Sequence, residues 1–367
     1  MAFHSRPYDG WPGSMNRAII QKWMPFFRVM AWVQPPENTH SSLVEAINRL
    51  DGAEFDLRLT SDDRLIIHHD NQVSVPEDLL EGRSPWVEHW THDELVGLGF
   101  ASFEKMMSDK EWLIPWQEHS KAVCLEIKRP HPKVAKNPHN NMSRVMQLAS
   151  EMIDEAGIPE TSAVFYAFHR GMDKVASDSG STRPWSRLLP LVPRLGSHHG
   201  MRLRAFPEFV LNSFARLMKK QQKAGSPMMP CAIDYFSTWS RFAHIGLPVG
   251  LHGAAKKRLM RIKGDYPVYV WPGPLHFERA LIEAGCSVLT DNAKPGLVLP
   301  DGALRWNRPA TMPLTDEQWQ GLAKGELPED VTPWHEISDE TLPWNAARLI
   351  GHRGLGKTPR PVLNPNV

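Results

Sequence analysis

The segment GAEFDLRLTSDDRLIIHHD, residues 52–70, gathers side chains that could do chemistry together. Read as a strand, EFDLRL puts Glu54, Asp56 and Arg58 on one face and Phe55, Leu57 and Leu59 on the other, because side chains alternate. The apolar face suits packing under helices. The opposite face then holds two carboxylates that resist joint ionisation at close range. A divalent cation with a preference for oxygen would resolve that repulsion. The plainer reading is an edge hairpin with a solvated acidic face. After a polar turn, SDDR, a second short strand LIIHHD delivers His68, His69 and Asp70 at its end. AVCLEIK repeats the pattern downstream: Ala122, Cys124, Glu126 and Lys128 share one face, and Val123, Leu125 and Ile127 the other.

The elements that must position these groups alternate along the chain. Strands are expected at Phe27–Val33, 52–59, 65–70, Ala122–Lys128, Ser162–Phe168, Arg187–Val192, Met229–Phe236, Tyr266–Trp271 and Cys286–Asp291. Helices are expected at His40–Leu50, capped by Asn38 or Thr39, at Thr91–Leu98, Asn141–Ala156, Gly171–Ser177, Phe206–Ala224, Gly253–Lys263 and Leu275–Ala284. The link from Trp112 to Lys121 leaves little room for a helix. This alternation argues for a parallel α/β fold, and eight strands suit a closed (β/α)8 TIM barrel with irregular N- and C-terminal extensions. Residues 1–26 read as an N-terminal extension, 27–300 as the barrel and 301–367 as a Pro- and Trp-rich C-terminal extension. A doubly wound sheet is the alternative, but no G-x-G-x-x-G turn follows the first strand.

With 367 residues, 41% hydrophobic and 23% charged, the chain can bury a sizeable core. A net charge of +1 gives no strong electrostatic case for nucleic acid or an anionic membrane. Cys124, Cys231 and Cys286 lack metal or redox spacing and fit buried thiols in a reducing compartment, hence a cytoplasmic location. The N-terminus lacks signal-peptide order. The apolar stretch 18–33 is broken by Lys22, Pro25 and Arg28 and is too short to span a bilayer. A helix at 16–26 would pack on the barrel, with peripheral membrane contact as the alternative.

PENT (36–39), the 52–70 segment, CLEIK (124–128), VYVW (268–271) and EAGCSVLTDNAKPGLV (283–298) fall in the order seen in glycerophosphodiester phosphodiesterases, which this chain resembles from about Phe27 to Leu299. The resemblance implies a TIM barrel that hydrolyses small-molecule glycerophosphodiesters with a divalent metal, Ca²⁺ or Mg²⁺, and two histidines. The residue chemistry agrees. At the C-terminal ends of barrel strands, where such sites sit, Glu54, Asp56 and Glu126 would converge on one cation, with Lys128 beside them for a phosphate oxygen. His69 matches the family's His-Asp position, a general acid or base; His68 points the other way. Trp271 would line the substrate pocket. His169–Arg170 is a weaker phosphate candidate, and His198–His199 reads as loop.

One departure is large. Trp32 and Val33 stand where the family carries His-Arg after the first strand, yet GHRG appears at 351–354. In a closed barrel the first and last strands are neighbours. ARLI could therefore reach the first-strand position and present His352 as the second catalytic histidine and Arg353 as a phosphate-binding cation. Two readings stand: a circular permutation, or a tandem gene whose second copy is cut off. A phospholipase D-like reaction on a lysolipid and a phosphate-binding pseudoenzyme are the functional alternatives.

Overall fold

In the computed structural model, residues 35–73, 82–118, 121–189, 207–237, 245–291 and 344–357 are described, with the isolated positions 75, 80 and 242. The expected strand at 27–33, the helix at 16–26 and most of the extension after 300 lie outside them. Helix α1 (His40–Arg49) leads into β1 (Gly52–Leu59) and the short β2 (Leu65–Ile67). An excursion follows with α2 (His92–Gly97), β3 (Ala101–Ser102), α3 (Phe103–Met106) and α4 (Lys110–Glu118). Next come β4 (Ala122–Ile127), α5 (His139–Glu155), β5 (Ala163–Ala167), α6 (Met172–Ser179) and β6 (Trp185–Arg187). The chain continues through α7 (Phe214–Lys223), β7 (Met229–Ala232), α8 (Asp234–Ser237), α9 (Gly253–Lys263), β8 (Val268–Gly273), α10 (Leu275–Glu283) and β9 (Ser287–Thr290), and β10 (Leu349–His352) is added last.

The sheet order is β6-β5-β4-β1-β10-β9-β8-β7, and every neighbouring pair along it is parallel. Its ends approach each other: Leu189 N–H donates to the Pro230 carbonyl at 3.0 Å, and the Ser186 hydroxyl to the Met228 carbonyl at 2.9 Å. The result is a nearly closed eight-stranded barrel. β1 is buried along its whole length, between β4 and β10, and is not the edge of a solvated hairpin. The expected alternation of faces appears as two separate apolar layers. Ala122 and Cys124 fill the barrel interior with Val164, Tyr166, Tyr269, Leu289 and Ile350. Val123, Leu125, Phe55 and Leu57 face outward onto Leu43 and Ile47 of α1 and Met142, Val145 and Met146 of α5.

Three local expectations needed correction. A helix does fit before β4: α4 starts ahead of Trp112 and buries Trp112 and Trp116. Pro115 within it cannot bond back to Glu111, and the Asn48 side chain donates to the Glu111 carbonyl instead at 3.0 Å. The helix expected over 206–224 is interrupted. Asn212 folds back on the Glu208 carbonyl, and Ser213 caps a new helix by accepting from Arg216 N–H at 3.2 Å. The strand expected over 229–236 ends at Ala232, where Asp234–Ser237 turns helical.

The seam between β1 and β9 is filled from the far end of the chain. β10 runs parallel to both, with Ala53 opposite Gly351, Glu54 opposite His352, and Leu349 opposite Val288. Asp51 brackets its start: its carboxylate accepts Leu349 N–H at 2.8 Å, and its own N–H donates to the Leu349 carbonyl at 2.9 Å. After β10 the backbone turns sharply at Arg353 and Gly354, both at positive φ. Gly351 is required by packing, since a Cβ there would meet the Gly354 carbonyl oxygen at 1.9 Å and Ala46 Cβ at 2.8 Å. Removing residues 344–367 should leave β1 and β9 with open edges and strip apolar Leu349, Ile350 and Leu355 from the core. The truncated chain should lose cooperative urea unfolding followed by circular dichroism. An unchanged midpoint would show that the seam does not need β10.

Candidate functional site

β1, β4 and β10 place their ionisable side chains at one end of the barrel, the C-terminal end of the strands. Glu54, Asp56 and Glu126 offer carboxylate oxygens that all lie within 4.8 Å of one another, with Glu54 and Asp56 buried. The register explains this: Asp56 pairs directly with Glu126 across β1–β4, and Glu54 with His352 across β1–β10. Lys128 Nζ lies 2.6 Å from Glu126 Oε1 and 2.9 Å from Asp56 Oδ1. Among the described residues, Asp56 Oδ1 is thus held by the Lys128 ammonium alone. Asp56 Oδ2 accepts from the Asn38 amide at 2.8 Å and lies 3.5 Å from Arg353 Nε.

Arg353 ties the two distant turns together. Its guanidinium donates to Glu37 at 2.7 Å, its N–H to the Glu54 carboxylate at 2.9 Å, and its carbonyl accepts Asn38 N–H at 3.0 Å. Thr39 closes the same turn as the capping-box residue of α1. His352 stands with Nε2 3.7 Å from Glu54 and Nδ1 2.6 Å from Asp291. Burial pushes the imidazole below its ordinary value and outweighs Asp291. A neutral ring with Nδ1–H donating to ionised Asp291 satisfies both groups, and it turns the Nε2 lone pair toward the carboxylates.

His69 has the same arrangement from the other side. Its Nδ1 is 2.7 Å from Asp70, it is part-exposed at the mouth, and its charge is opposed first by burial and then by Lys128. Buried Arg58 fixes this turn by donating to Glu88 at 2.7 Å, Asn71 at 2.8 Å and the His69 carbonyl at 3.0 Å. His68 packs edge-on to Phe100 with Nε2 3.1 Å from the Gln72 carbonyl, away from the carboxylates. Trp271 stands 6.5 Å, ring to ring, from His352, with Phe168 against its face.

The structure thus brings Glu54, Asp56, Glu126, Lys128, His352, Arg353, His69 and Trp271 to one mouth. Arg170 turns outward to Glu208 at 3.8 Å. His198–His199 lies outside the described residues. Glu37, Arg58, Asp70 and Asp291 sit inside the motifs read from the sequence without a role of their own there, and Asn38 appears there only as a cap candidate; Arg58 shares the face of Glu54. Their parts depend on contacts between segments up to 316 positions apart, as with Glu37 and Arg353.

The chemistry of the donor set fits a divalent cation. It offers hard carboxylate oxygens, mutually repulsive and close together, on Glu54, Asp56 and Glu126. Burial, then Asp56 and Glu126, push the Glu54 carboxyl well above its ordinary range. Asp56 is held well below its own despite burial, by Lys128 and then Arg353.

A model described as the glycerophosphoryl diester phosphodiesterase family matches residues 30–165. No curated protein matches the chain. Among solved structures, it is similar to a phosphodiesterase from Oleispira antarctica in complex with the product sn-glycerol-3-phosphate. The identity is 14%, the TM-score 0.45, and the match covers 70% of this chain and 88% of that one. It is also similar to a glycerophosphodiester phosphodiesterase from Thermotoga maritima at 14% identity and TM-score 0.41, covering 69% and 87%. The barrel assignment rests on the strand pairing and not on these likenesses.

The opposite shifts of two neighbouring carboxylates give a sign to test. A folded pKa raised above the unfolded one stabilises below the ordinary Glu value, and that stability is lost as pH rises through the folded value. At neutral pH Glu54 therefore costs stability. A lowered pKa acts the other way, so Asp56 stabilises above the ordinary Asp value and the gain is lost in acid. In metal-free buffer at pH 7, Glu54→Gln should melt higher than the parent. Asp56→Asn should melt lower, by about 3–5 kcal/mol, as for a broken buried ion pair. Calorimetry giving the reverse order would overturn this charge assignment.

Proposed function

We propose that this chain belongs to the glycerophosphoryl diester phosphodiesterase family and catalyses metal-dependent hydrolysis of a glycerophosphodiester to glycerol phosphate and an alcohol. The observation that carries the reading is His352 beside Glu54, delivered by a C-terminal strand at the barrel seam. In this reading GHRG does what the family's His-Arg after the first strand does, so the motif is displaced to the C-terminus. Glu54, Asp56 and Glu126 would hold the cation, Ca²⁺ or Mg²⁺. When bound, it would neutralise phosphoryl oxygens and make phosphorus more electrophilic.

The chain's own residues supply the rest. Lys128 and Arg353 bind and orient non-bridging oxygens. Burial lowers both the His69 and His352 imidazoles from their ordinary value and each is anchored through Nδ1 to an aspartate, so one can take a proton from the attacking water. The other, once protonated, returns one to the leaving alcohol oxygen. Trp271 and Phe168 give the glycerol or alcohol an apolar wall and keep water from one side. The pseudoenzyme alternative rested on Trp32 in place of a histidine, and His352 at the mouth speaks against it. The three buried free cysteines support a reducing, cytoplasmic location.

Purified protein assayed on glycerophosphocholine and glycerophosphoethanolamine should release glycerol phosphate, lose activity to chelator and regain it with Ca²⁺ or Mg²⁺. His69→Ala and His352→Ala should each lower turnover on the order of 10²–10⁴-fold without loss of fold, the usual worth of a general acid–base group. His68→Ala should have far less effect. Turnover that survives chelator, or equal losses at His68 and His69, would sink the proposal.

A further inference from the structure

The chain's net charge of +1 hides a strong local segregation. α7 reads FARLMKKQQK and α9 reads GAAKKRLMRIK, without one acidic residue in either helix. The two helices are neighbours on the outside of the barrel. Arg216, Lys219, Lys220 and Lys223 of α7, with Lys257 and Arg261 of α9, are exposed. Lys257, Arg258, Arg261 and Ala254 line a shallow cationic depression of about 250 Å³.

Large apolar side chains stand in solvent beside these cations. Leu247 is 72% exposed, Leu211 59% and Ile245 56%, and Met260 projects from α9. The loops carrying Leu211 and residues 245–247 meet beside the two helices. Arg216 donates to the Leu211 carbonyl at 3.4 Å, the 245–247 turn packs against Ser213, and Arg258 donates to the Pro248 carbonyl. Leu211 and residues 245–247 precede α7 and α9, whose N-terminal ends lie at the same end of the barrel as the carboxylate site. Exposed leucine and isoleucine at a rim, backed by a field of lysine and arginine, match a lipid–water interface. A nucleic acid would be met by the cations but would leave the aliphatic groups in water, and scattered single apolar residues would need no partner. Among the described residues no helix is long and apolar enough to cross a membrane, so the contact is peripheral.

We infer that α7, α9 and the loops at their N-terminal ends form a docking surface for an anionic lipid bilayer on the flank of the barrel. This inference stands apart from the hydrolytic reading, and its test reads binding and not turnover.

The full chain should sediment with vesicles of phosphatidylcholine and phosphatidylglycerol at low salt, and not with phosphatidylcholine alone. Binding should fall steeply as salt is raised, because the cations act within a Debye length of the surface. The exposed triple variant Lys219→Glu, Lys220→Glu, Lys257→Glu should weaken partitioning on the order of 100-fold, from about 1 kcal/mol per cation. Ile245→Ser with Leu247→Ser should weaken it as well, with an unchanged melting curve. No binding to the anionic vesicles, or binding indifferent to charge reversal, would overturn the inference. So would equal retention on heparin by the parent and the serine variant with no vesicle binding, which would mark a polyanion site. The salt dependence of the parent protein keeps the test decisive if a variant fails to fold.

Discussion

Everything at the mouth of this barrel depends on one pairing, that of β1 with a strand from the other end of the chain. Only when Glu54 sits opposite His352 does Arg353 N–H reach the Glu54 carboxylate, and only then can the 353–354 turn close on Asn38 and on α1. Both edges of β1 are occupied by β4, β10 and, at its end, β2. Its two long edges are thereby filled by described strands. Asp51 and the glycines at 351 and 354 are the local devices that permit the fit: a carboxylate for an otherwise unpaired strand N–H, and two missing side chains where α1 presses against the turn.

The second constraint is charge. Carboxylates outnumber cations at the mouth, and burial raises the cost of each uncompensated one. The protein distributes that cost unequally. Asp56 is served by Asn38, Lys128 and Arg353 and stays ionised, while Glu54 and Glu126 are pushed toward the neutral form by burial. Such a cluster is poorly stabilised by itself and well suited to a cation, which is the same property seen from two sides. Outside the cluster, Asp291 and Asp70 each fix one imidazole, so the ring nitrogens that face the mouth are set by hydrogen bonds at the opposite nitrogen.

Much of this was legible in the residue pattern, for a physical reason. Strand parity and apolar periodicity are local properties. The faces of 53–59 and 122–127, the capped α1 and the order of strands and helices could all be read directly. Helix interruption at Asn212–Ser213 and the helical turn after Ala232 were not legible, because a side chain folding back on its own backbone competes with periodicity there. Nor were the partnerships of Glu37, Asn38 and Asp291. Each is a pairing across distant segments, and a sequence shows the members without showing which will meet. The orphan GHRG was the exception. Its apolar lead-in ARLI demanded a partner strand, and a barrel offers such a place wherever its seam is open.

A closed ring has no first strand. What a barrel site requires is that a strand of the right direction stand between two given neighbours, with the right residue at its C-terminal end. Chain order enters only through the connections, and these run outside the ring. β10 meets the geometric requirement in full: it is parallel to β1 and β9, in register with both, and ends in histidine and arginine at the level of Glu54. The same residues placed before α1 would face the same neighbours. The cost of moving them lies in assembly. The Glu54–His352 contact spans nearly the whole described chain, so loop closure must precede any stabilisation from the site. The barrel wall and the mouth are therefore coupled, because the strand that closes one carries the residues that complete the other.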